Sequence, residues 1–299
     1  MQMHNRVQLT TIEWWLADVR ESFIGTEPDL LSVFDTYAAE AAFGRQYIDS
    51  DLGNLKPGAK VLEIGAGSLL LCCQLVREGF QVTGLEPTGS GFLHFEIMHE
   101  IILNRANTLG CVPQILNLPA EALKQKNIFD FAFSINVMEH VDDVDFVIIN
   151  ALRSLKVGAC YRFTCPNYLF PYEPHFNIPT LFSKRLTERI LSNKILNHET
   201  ISDTSGTWKS LNWISVLQIR RIVRRLPGIK MTLNRRFLVT TFERLNFDID
   251  FASRRSPLIL KFILPLVRLR AHKLFCFIPA MLQPTIDCKL EKNVDSEVW

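Results

Sequence analysis

The sequence predicts an α/β protein built around a doubly wound, mostly parallel sheet, and three observations support this fold class. Short apolar runs alternate with helical segments between residues 61 and 164, which is the order that produces parallel strands joined by helices. Residues 129–135 are almost continuously apolar, as expected of a strand that is covered on both faces. Glycines follow the first predicted strand, where sheets of this kind turn sharply and bind ligands.

The elements up to residue 164 follow from the spacing of apolar residues. Helical spacing over residues 11–23 and 35–52 predicts N-terminal helices. Pro57 and Gly58 then predict a turn into the first strand. We predict strands at residues 61–64, 81–85, 112–116, 129–135 and 160–164, with helices at residues 69–78, 92–105 and 143–155 and a short helix from Ala120.

The pattern becomes less regular after residue 166. Four prolines between residues 166 and 179 predict a loop of limited flexibility. Residues 180–196 and 215–226 are predicted to be helical, and the polar residues 197–206 between them are predicted to be a loop. The last two strands are predicted at residues 228–233 and 285–291, with a helical insertion between them at residues 234–283.

Composition excludes several classes of protein. The 33 Lys and Arg against 31 Asp and Glu give a formal net charge of +2, which argues against a uniformly basic nucleic-acid binder. The hydrophobic fraction of 47% excludes a disordered chain. The 7 cysteines include no C-x-x-C pair and no cluster with zinc spacing, so we expect neither a disulfide scaffold nor a metal site. This cysteine usage and a polar N-terminus without a signal peptide predict a cytoplasmic protein.

Charge is distributed unevenly along the chain. Residues 184–273 hold 19 basic and 6 acidic residues, a net charge of +13, whereas the first 183 residues hold 12 basic and 21 acidic residues, a net charge of −9. One interpretation is that a basic helical lobe packs on an acidic one. The other is that the basic region attracts an anionic substrate, a membrane or a nucleic acid.

The most apolar stretch, residues 256–284, is interrupted by charged residues and prolines. Its longest uncharged run is too short for the roughly 20 apolar residues that a transmembrane helix needs. Two interpretations stay open: a helix that lies at a membrane interface, or a pair of helices that cover a hydrophobic core.

Two acidic residues lie at the ends of neighbouring predicted strands. Glu63 begins the motif Glu63-x-Gly65-x-Gly67, and Glu86 ends the second strand, 19 residues beyond Gly67. Glycines at this point let the backbone approach a ligand, and an acid about 20 residues further on suits ribose hydroxyls. The position of a third glycine is occupied by Leu70, which argues against a pyrophosphate-bearing cofactor such as NAD.

These motifs resemble those of the class I S-adenosylmethionine-dependent methyltransferases, in particular bacterial-type methyltransferase domains, from about residue 56 to residue 167. Residues 118–123, 129–141 and 155–158 resemble the family's adenine segment, its fourth strand with the following loop, and the turn before its fifth strand. The resemblance implies a Rossmann-like methyltransferase fold with a seven-stranded, mostly parallel sheet whose last strand is antiparallel.

The resemblance also implies S-adenosylmethionine as cofactor. Glu63 would add negative potential beneath the sulfonium, the backbone of Gly65, Ala66 and Gly67 would approach the methionine portion, and Glu86 would accept hydrogen bonds from the ribose. Where the family often has a polar residue before an alanine, this chain has Pro119, so the backbone of Ala120 and Glu121, or Asn117, would hold the adenine. Further candidates for cofactor binding are Pro87, Asn136 and Arg45.

The acceptor side is predicted from the loop after the fifth strand. It places Tyr168 and Tyr172, as substrate-binding candidates, beside Glu173 and His175. His175 with Glu173 is the first choice for a general base, ahead of His140, which would otherwise cap the next helix.

The resulting hypothesis is a methyltransferase for a small or amphipathic acceptor, lipid-like or anionic, that is methylated at oxygen. An anionic membrane surface is a further expected partner. Two alternatives stay open: a nucleic-acid methyltransferase that uses residues 184–273, and a cofactor-binding protein without catalysis. We expect an N-terminal helical cap (1–53), a cofactor-binding core (54–170), an acceptor loop with helices and the sixth strand (171–233), a helical insertion (234–283) and the last strand with a tail (284–299).

Overall fold

The computed structural model describes residues 11–87, 93–199, 201, 203–246, 248–253 and 257–293. Within them, seven strands form one sheet in the order β3-β2-β1-β4-β5-β7-β6. The strands are β1 Lys60–Ile64, β2 Gln81–Leu85, β3 Gln114–Leu116, β4 Phe129–Ile135, β5 Leu155–Pro166, β6 Ile229–Leu233 and β7 Thr285–Lys292. β1 pairs in parallel with β2 and β4, β2 pairs in parallel with β3, and β6 and β7 are antiparallel. The predicted sheet is confirmed, including its antiparallel last strand.

Helices connect the strands, as the alternating pattern predicted. The α-helices are α1 Ile12–Thr26, α2 Leu31–Leu52, α3 Leu70–Arg77, α4 Leu93–Thr108, α5 Val144–Ser154, α6 Lys184–Leu196, α7 Thr204–Ser210, α8 Val216–Arg224, α9 Phe237–Arg244, α10 Ile249–Ser253 and α11 Pro257–Arg268. Short 3-10 helices lie at Pro28–Leu30, Ala120–Ala122, Ala271–Phe277 and Ala280–Leu282.

Two compact units make up the chain: Met1–Ser134 with Ile149–Tyr161, and Ile135–Ile148 with Arg162–Trp299. In the first unit, α1 buries Trp15 and Phe23 completely. The Trp15 indole donates a hydrogen bond of 2.9 Å to the carbonyl of Leu70, the first residue of α3. The N-terminal helices are therefore anchored to the helix that follows the glycine motif.

The second unit has its own core and a buried ion pair. Helix α8 begins after Ser215, whose hydroxyl accepts a hydrogen bond from the Gln218 amide, and its buried residues lie on one face. Arg162 donates two hydrogen bonds, of 3.1 and 2.9 Å, to the carboxylate of Asp287, whose side chain is 1% exposed. This pair joins residues that are far apart in the sequence.

Several predicted boundaries were wrong. The helix predicted at residues 180–196 begins at Lys184, and the helix predicted at residues 35–52 begins at Leu31. Three further differences have a clear physical cause. The third strand begins at Gln114 rather than at residue 112, because Pro113 has no N–H for the ladder. The fifth strand begins at Leu155, where a helix end and a turn were expected. Gly158 within this strand has a φ of 85°, a value that glycine adopts readily. Residues 204–206 belong to α7, because Asp203 caps that helix by accepting a hydrogen bond of 2.8 Å from the Gly206 amide.

Residues 234–283 are largely helical, as predicted. They contain α9, α10, α11 and two of the 3-10 helices, and Pro265 lies inside α11. Among the described residues, no helix combines the length and the apolar composition that crossing a bilayer would require.

Candidate functional site

The glycine loop between β1 and α3 is held by the end of β2. The amides of Gly65 and Ala66 donate hydrogen bonds of 2.8 and 3.1 Å to the carbonyl of Leu85. Gly65 and Gly67 have φ of 73° and 48°, values that residues with a side chain rarely adopt. The sequence therefore needs glycine at both positions to turn the chain here.

Glu86 is hydrogen-bonded directly to this loop. Its Oε2 accepts a hydrogen bond of 2.8 Å from the Gly67 amide. The carbonyl of the same residue is also held: the Nε2 of His99 donates a hydrogen bond of 2.6 Å to the Gly67 carbonyl. Burial raises the pKa of Glu86, while the Gly67 amide and His99 oppose that shift. Both backbone polar groups of Gly67 are thus fixed by side chains.

Glu63 is buried at the end of β1. Its Oε2 accepts a hydrogen bond of 2.9 Å from the Cys72 thiol. Burial raises the pKa of Glu63 to about 8, although the bond from Cys72 lowers it and nearby Glu86 raises it further. Glycine at position 84 leaves room for the Cys72 thiol, because a Cβ at this position would lie 2.9 Å from the Cys72 sulfur. The carboxyl group is therefore poised to lose a proton when a cation lies beside it.

The segment predicted to hold the adenine forms the short helix Ala120–Ala122. Ala120 is buried, and the Glu121 carbonyl accepts a hydrogen bond of 2.7 Å from the side-chain Nδ2 of Asn150. Arg45 lies elsewhere in the first unit and forms ion pairs of 2.8 Å with both Glu78 and Asp49. Its guanidinium is therefore already engaged by two carboxylates.

In the second unit, the loop after β4 is clamped by Asn212. The Asn212 side chain donates hydrogen bonds of 2.7 and 2.8 Å to the carbonyls of Met138 and Val141, and its amide donates one of 2.8 Å to the Glu139 carbonyl. The clamp fixes the backbone that carries Glu139 and His140. Position 136 precedes this loop, and Asn136 is exposed with φ of 55°.

Glu173 and His175 form a hydrogen-bonded pair in the loop after β5. The His175 Nδ1 lies 2.6 Å from the Glu173 carboxylate, which also accepts hydrogen bonds from the Tyr168 hydroxyl at 3.3 Å and the Phe176 amide at 2.7 Å. Burial alone would raise the pKa of Glu173, but the hydrogen bonds and the charge of His175 lower it below its usual value. Glu173 therefore stays ionised.

The two histidines lie next to each other. The ring centroids of His140 and His175 are 5.2 Å apart in an edge-on arrangement. Burial and the charge of His175 lower the pKa of His140 to about 4, so this ring is neutral near pH 7. Tyr168 stacks on Trp213 with centroids 5.1 Å apart, so an aromatic wall adjoins the Glu173–His175 pair.

Comparison with known proteins assigns this fold to a family. A family model described as a methyltransferase domain matches residues 38–191, more than half of the 299 residues. The chain belongs to the class I S-adenosylmethionine-dependent methyltransferases. It is accordingly an enzyme that uses S-adenosylmethionine as its methyl donor.

The proteins that are similar to this methyltransferase match different fractions of its chain. An uncharacterized protein of Mycobacterium tuberculosis (strain ATCC 25618 / H37Rv) is 43% identical over 289 residues, 97% of this chain and 97% of the relative. The ubiquinone biosynthesis O-methyltransferase of Bradyrhizobium sp. (strain ORS 278) is 31% identical over 127 residues, 41% of this chain and 46% of that one. The solved structure of Haemonchus contortus phosphoethanolamine N-methyltransferase 2 has 17% identity and a TM-score of 0.48, and covers 83% of this chain and 51% of its own.

The methyltransferase brings together most of the side chains that the sequence singled out. In the first unit, hydrogen bonds join Gly65, Ala66 and Gly67 to Leu85 and Glu86, and Glu63 lies near enough for the charge of Glu86 to raise its pKa. The three catalytic candidates likewise adjoin one another in the second unit. Of the substrate candidates, Tyr172 instead donates its hydroxyl hydrogen bond to Asn177 at 2.6 Å, and Pro87 is exposed beside Glu86.

Several residues of this methyltransferase were missed at the sequence level. His99, Cys72, Asn212 and Ser210 all contact the candidate residues from positions with no motif spacing. Tyr37 is also close to Glu86, and burial chiefly raises the pKa of Tyr37 to about 12. No signal distinguished His99, because α4 also contains His94, Glu96 and Glu100.

Proposed function

We propose that this methyltransferase acts on a hydroxyl oxygen of a small or amphipathic acceptor. The observation that carries the proposal is the Glu173–His175 pair, in which the carboxylate is 0% exposed and the histidine side chain is 28% exposed. A hydroxyl is a poor nucleophile until it loses its proton. A histidine that is oriented by a buried carboxylate is suited to accept that proton near neutral pH.

The residues around the glycine loop fit the cofactor. A Cβ at Gly67 would meet no atom within 4 Å, which leaves space for a ligand against the loop backbone. Glu86 would bind the ribose hydroxyls through Oε1, because its Oε2 accepts the Gly67 hydrogen bond. Glu63 would lie beside the sulfonium, whose charge favours the carboxylate form. Ala120 and Glu121 would hold the adenine by their backbone.

His175 would carry out the proton transfer. Its Nδ1 donates to Glu173, so Nε2 is the nitrogen that takes the acceptor's proton. When bound, S-adenosylmethionine would supply an electrophilic methyl carbon and leave as S-adenosylhomocysteine. His175 would hold the proton that the acceptor hydroxyl loses as it becomes a methyl ether. His140, neutral and adjacent, would contact the acceptor without repelling the protonated His175.

Tritium transfer from labelled S-adenosylmethionine tests this proposal. We expect transfer to 3-hydroxydecanoate and decyl glucoside but not to decanoate, which lacks the hydroxyl group. His175→Ala should lower turnover by about 10²–10⁴-fold, with the calorimetric affinity for S-adenosylmethionine unchanged. His272→Ala, at a histidine that is paired with Glu243, serves as the matched control.

Other outcomes of this assay favour the alternatives. Transfer into RNA or DNA in place of the hydroxyl compounds would support a nucleic-acid methyltransferase. Cofactor binding without transfer to any of these acceptors would support a cofactor-binding protein. Full activity of His175→Ala would contradict the assignment of the base.

We further propose that the acceptor is presented by an anionic membrane. Helix α11 and the 3-10 helices after it carry large apolar side chains that are more than half exposed, alternating with exposed cations. We call this set the apolar–basic surface: Phe262, Leu269, Leu274, Phe277 and Leu282 with Lys261, Arg268, Arg270 and Lys273. Apolar side chains of this kind enter the headgroup region, while the cations attract anionic lipids.

Vesicle flotation tests the apolar–basic surface. The wild type should float with vesicles of phosphatidylglycerol and phosphatidylcholine, less so at high salt, and not with pure phosphatidylcholine. Phe262→Glu with Phe277→Glu should abolish flotation. The matched control is Phe146→Glu, at a phenylalanine that is 58% exposed on α5. Equal flotation of both variants, or none by the wild type, would contradict the proposal.

A further inference from the structure

One buried carboxylate of the second unit has no hydrogen-bond partner among the described residues. Glu139 is 0% exposed, and neither of its oxygens accepts a hydrogen bond from any described residue. Leaving a carboxylate in this condition is costly, so buried carboxylates normally bind donors or cations. The charge of His175 offsets part of this cost, and a proton or a bound cation can offset the rest.

Two histidines lie beside this carboxylate. Glu139, His140 and His175 each offer a ligand atom, and these atoms all lie within 4.8 Å of one another. Two imidazoles and one carboxylate are a donor set that zinc uses in sites with an open fourth position. The sequence rules for zinc spacing missed this set, because it joins two adjacent residues to one in a distant loop.

The hydrogen bonds of His140 select the nitrogen that can bind a cation. The Ser210 hydroxyl donates its hydrogen to the Thr207 carbonyl at 2.9 Å. It therefore accepts from the Nδ1 of His140, which lies 2.8 Å away. Nδ1 of His140 carries the hydrogen, and Nε2 carries the lone pair.

His175 is held in the same way. Its Nδ1 donates to the Glu173 carboxylate at 2.6 Å, which again places the lone pair of the neutral ring on Nε2. Histidines in metal sites are typically oriented by an outer acceptor that holds the second ring nitrogen. Both histidines have such an acceptor, and Asn212 fixes the loop that carries His140.

We propose that Glu139, His140 and His175 bind a divalent transition-metal cation of the zinc type, and that this cation inhibits methyl transfer by occupying Nε2 of His175. Ligand atoms around tetrahedral zinc lie about 3.3 Å apart, so the side chains must move closer together, with each ring turned so that its Nε2 faces the cation. The two charges of the cation would balance the carboxylates of Glu139 and Glu173. The binding stands on its own, whereas the inhibition rests on the proposed role of His175 as base.

Cobalt absorption tests the binding. Titration with Co²⁺ should give one equivalent of the visible absorption typical of four-coordinate cobalt. Glu139→Gln should weaken binding by at least about 100-fold, and Ser210→Ala by about 10–100-fold through the loss of the outer acceptor. Glu188→Gln, at an exposed glutamate on α6, is the matched control. Identical titrations of the wild type, Glu139→Gln and Ser210→Ala would overturn the inference.

Measuring methyl transfer with and without zinc tests the proposed inhibition. We expect the wild type to be active in EDTA and inhibited by micromolar Zn²⁺, with the inhibition constant raised at least about tenfold in Glu139→Gln. Each variant is compared with its own rate in EDTA. Normal activity with no cobalt binding would overturn the inference and leave the proposed function intact. Activity that requires the metal would overturn both the inhibition and the role of His175 as base.

Discussion

We predict that the binding of S-adenosylmethionine releases a proton from Glu63. Burial raises the pKa of Glu63 to about 8, so the carboxyl group holds its proton at pH 7. A sulfonium beside this group favours the carboxylate. The affinity for S-adenosylmethionine should therefore rise with pH until Glu63 is ionised without help from the ligand.

The pKa sets the size of this effect. A group with a pKa of about 8 is about 1% ionised at pH 6 and about 90% ionised at pH 9. S-adenosylhomocysteine has a neutral sulfur but shares every other titrating group of the cofactor. The ratio of the two affinities therefore isolates the sulfonium, and it should rise up to about 90-fold between pH 6 and pH 9.

Calorimetry of both ligands between pH 6 and pH 9 measures this ratio. Glu63→Gln should make it independent of pH. Cys72→Ala should move the rise to higher pH, because the thiol hydrogen bond lowers the pKa of Glu63. A wild-type ratio that does not change with pH, or one that changes equally in Glu63→Gln, would refute the assignment of Glu63 to the sulfonium.

The same pKa makes a prediction about stability. Folding raises the pKa of Glu63 from 4.5 to about 8, so the unfolded chain releases this proton first as pH increases. Its contribution to stability is present below pH 4.5 and is lost as pH rises to about 8. Without cofactor, Glu63→Gln should therefore be more stable than the wild type above pH 8 in urea titrations.

Three further substitutions test packing and a buried charge. Gly84→Ala should cost about 1–3 kcal/mol in urea unfolding, since its Cβ would lie 2.9 Å from the Cys72 sulfur; an unchanged midpoint would contradict the close approach. Gly25→Ala, whose Cβ meets nothing within 4 Å in α1, should instead add up to about 1 kcal/mol. Arg162→Met should cost about 3–5 kcal/mol in thermal unfolding by leaving the Asp287 carboxylate buried without its cation, and a loss below 1 kcal/mol would show that this pair is dispensable.

The sheet could be predicted where strands are apolar and end at turns. Both β2 and β4 have the predicted bounds, because buried parallel strands are continuous apolar runs. The start of β5 could not be predicted, because Leu155 continues the apolar period of α5. Helix α7 was missed in part because Ser, Gly and Thr are poor helix formers, and its cap at Asp203 outweighed their low propensity.

The candidate site could be predicted in its motif residues but not in its supports. Glu86 followed from its distance to the glycine motif, and the Glu173–His175 pair from the closeness of the two residues in one loop. Asn212 and Ser210 had no such signal, because they meet the loop after β4 from about 70 residues further along the chain. Contacts of that kind depend on which distant segments the tertiary structure brings together. A single sequence carries no local signal for such contacts.

The two buried glutamates of the second unit differ in their hydrogen-bond donors, and this difference predicts different protonation behaviour. Glu173 accepts hydrogen bonds from Tyr168, His175 and Phe176, and its pKa is lowered. Glu139 accepts none from the described residues, and burial raises its pKa to about 7. A carboxylate that is fully supplied with donors keeps its charge and can orient a histidine over the whole neutral range. Glu139 has only the charge of His175 and a backbone group to oppose its burial, so we expect Glu139 to be the member of the pair whose proton occupancy changes near neutral pH.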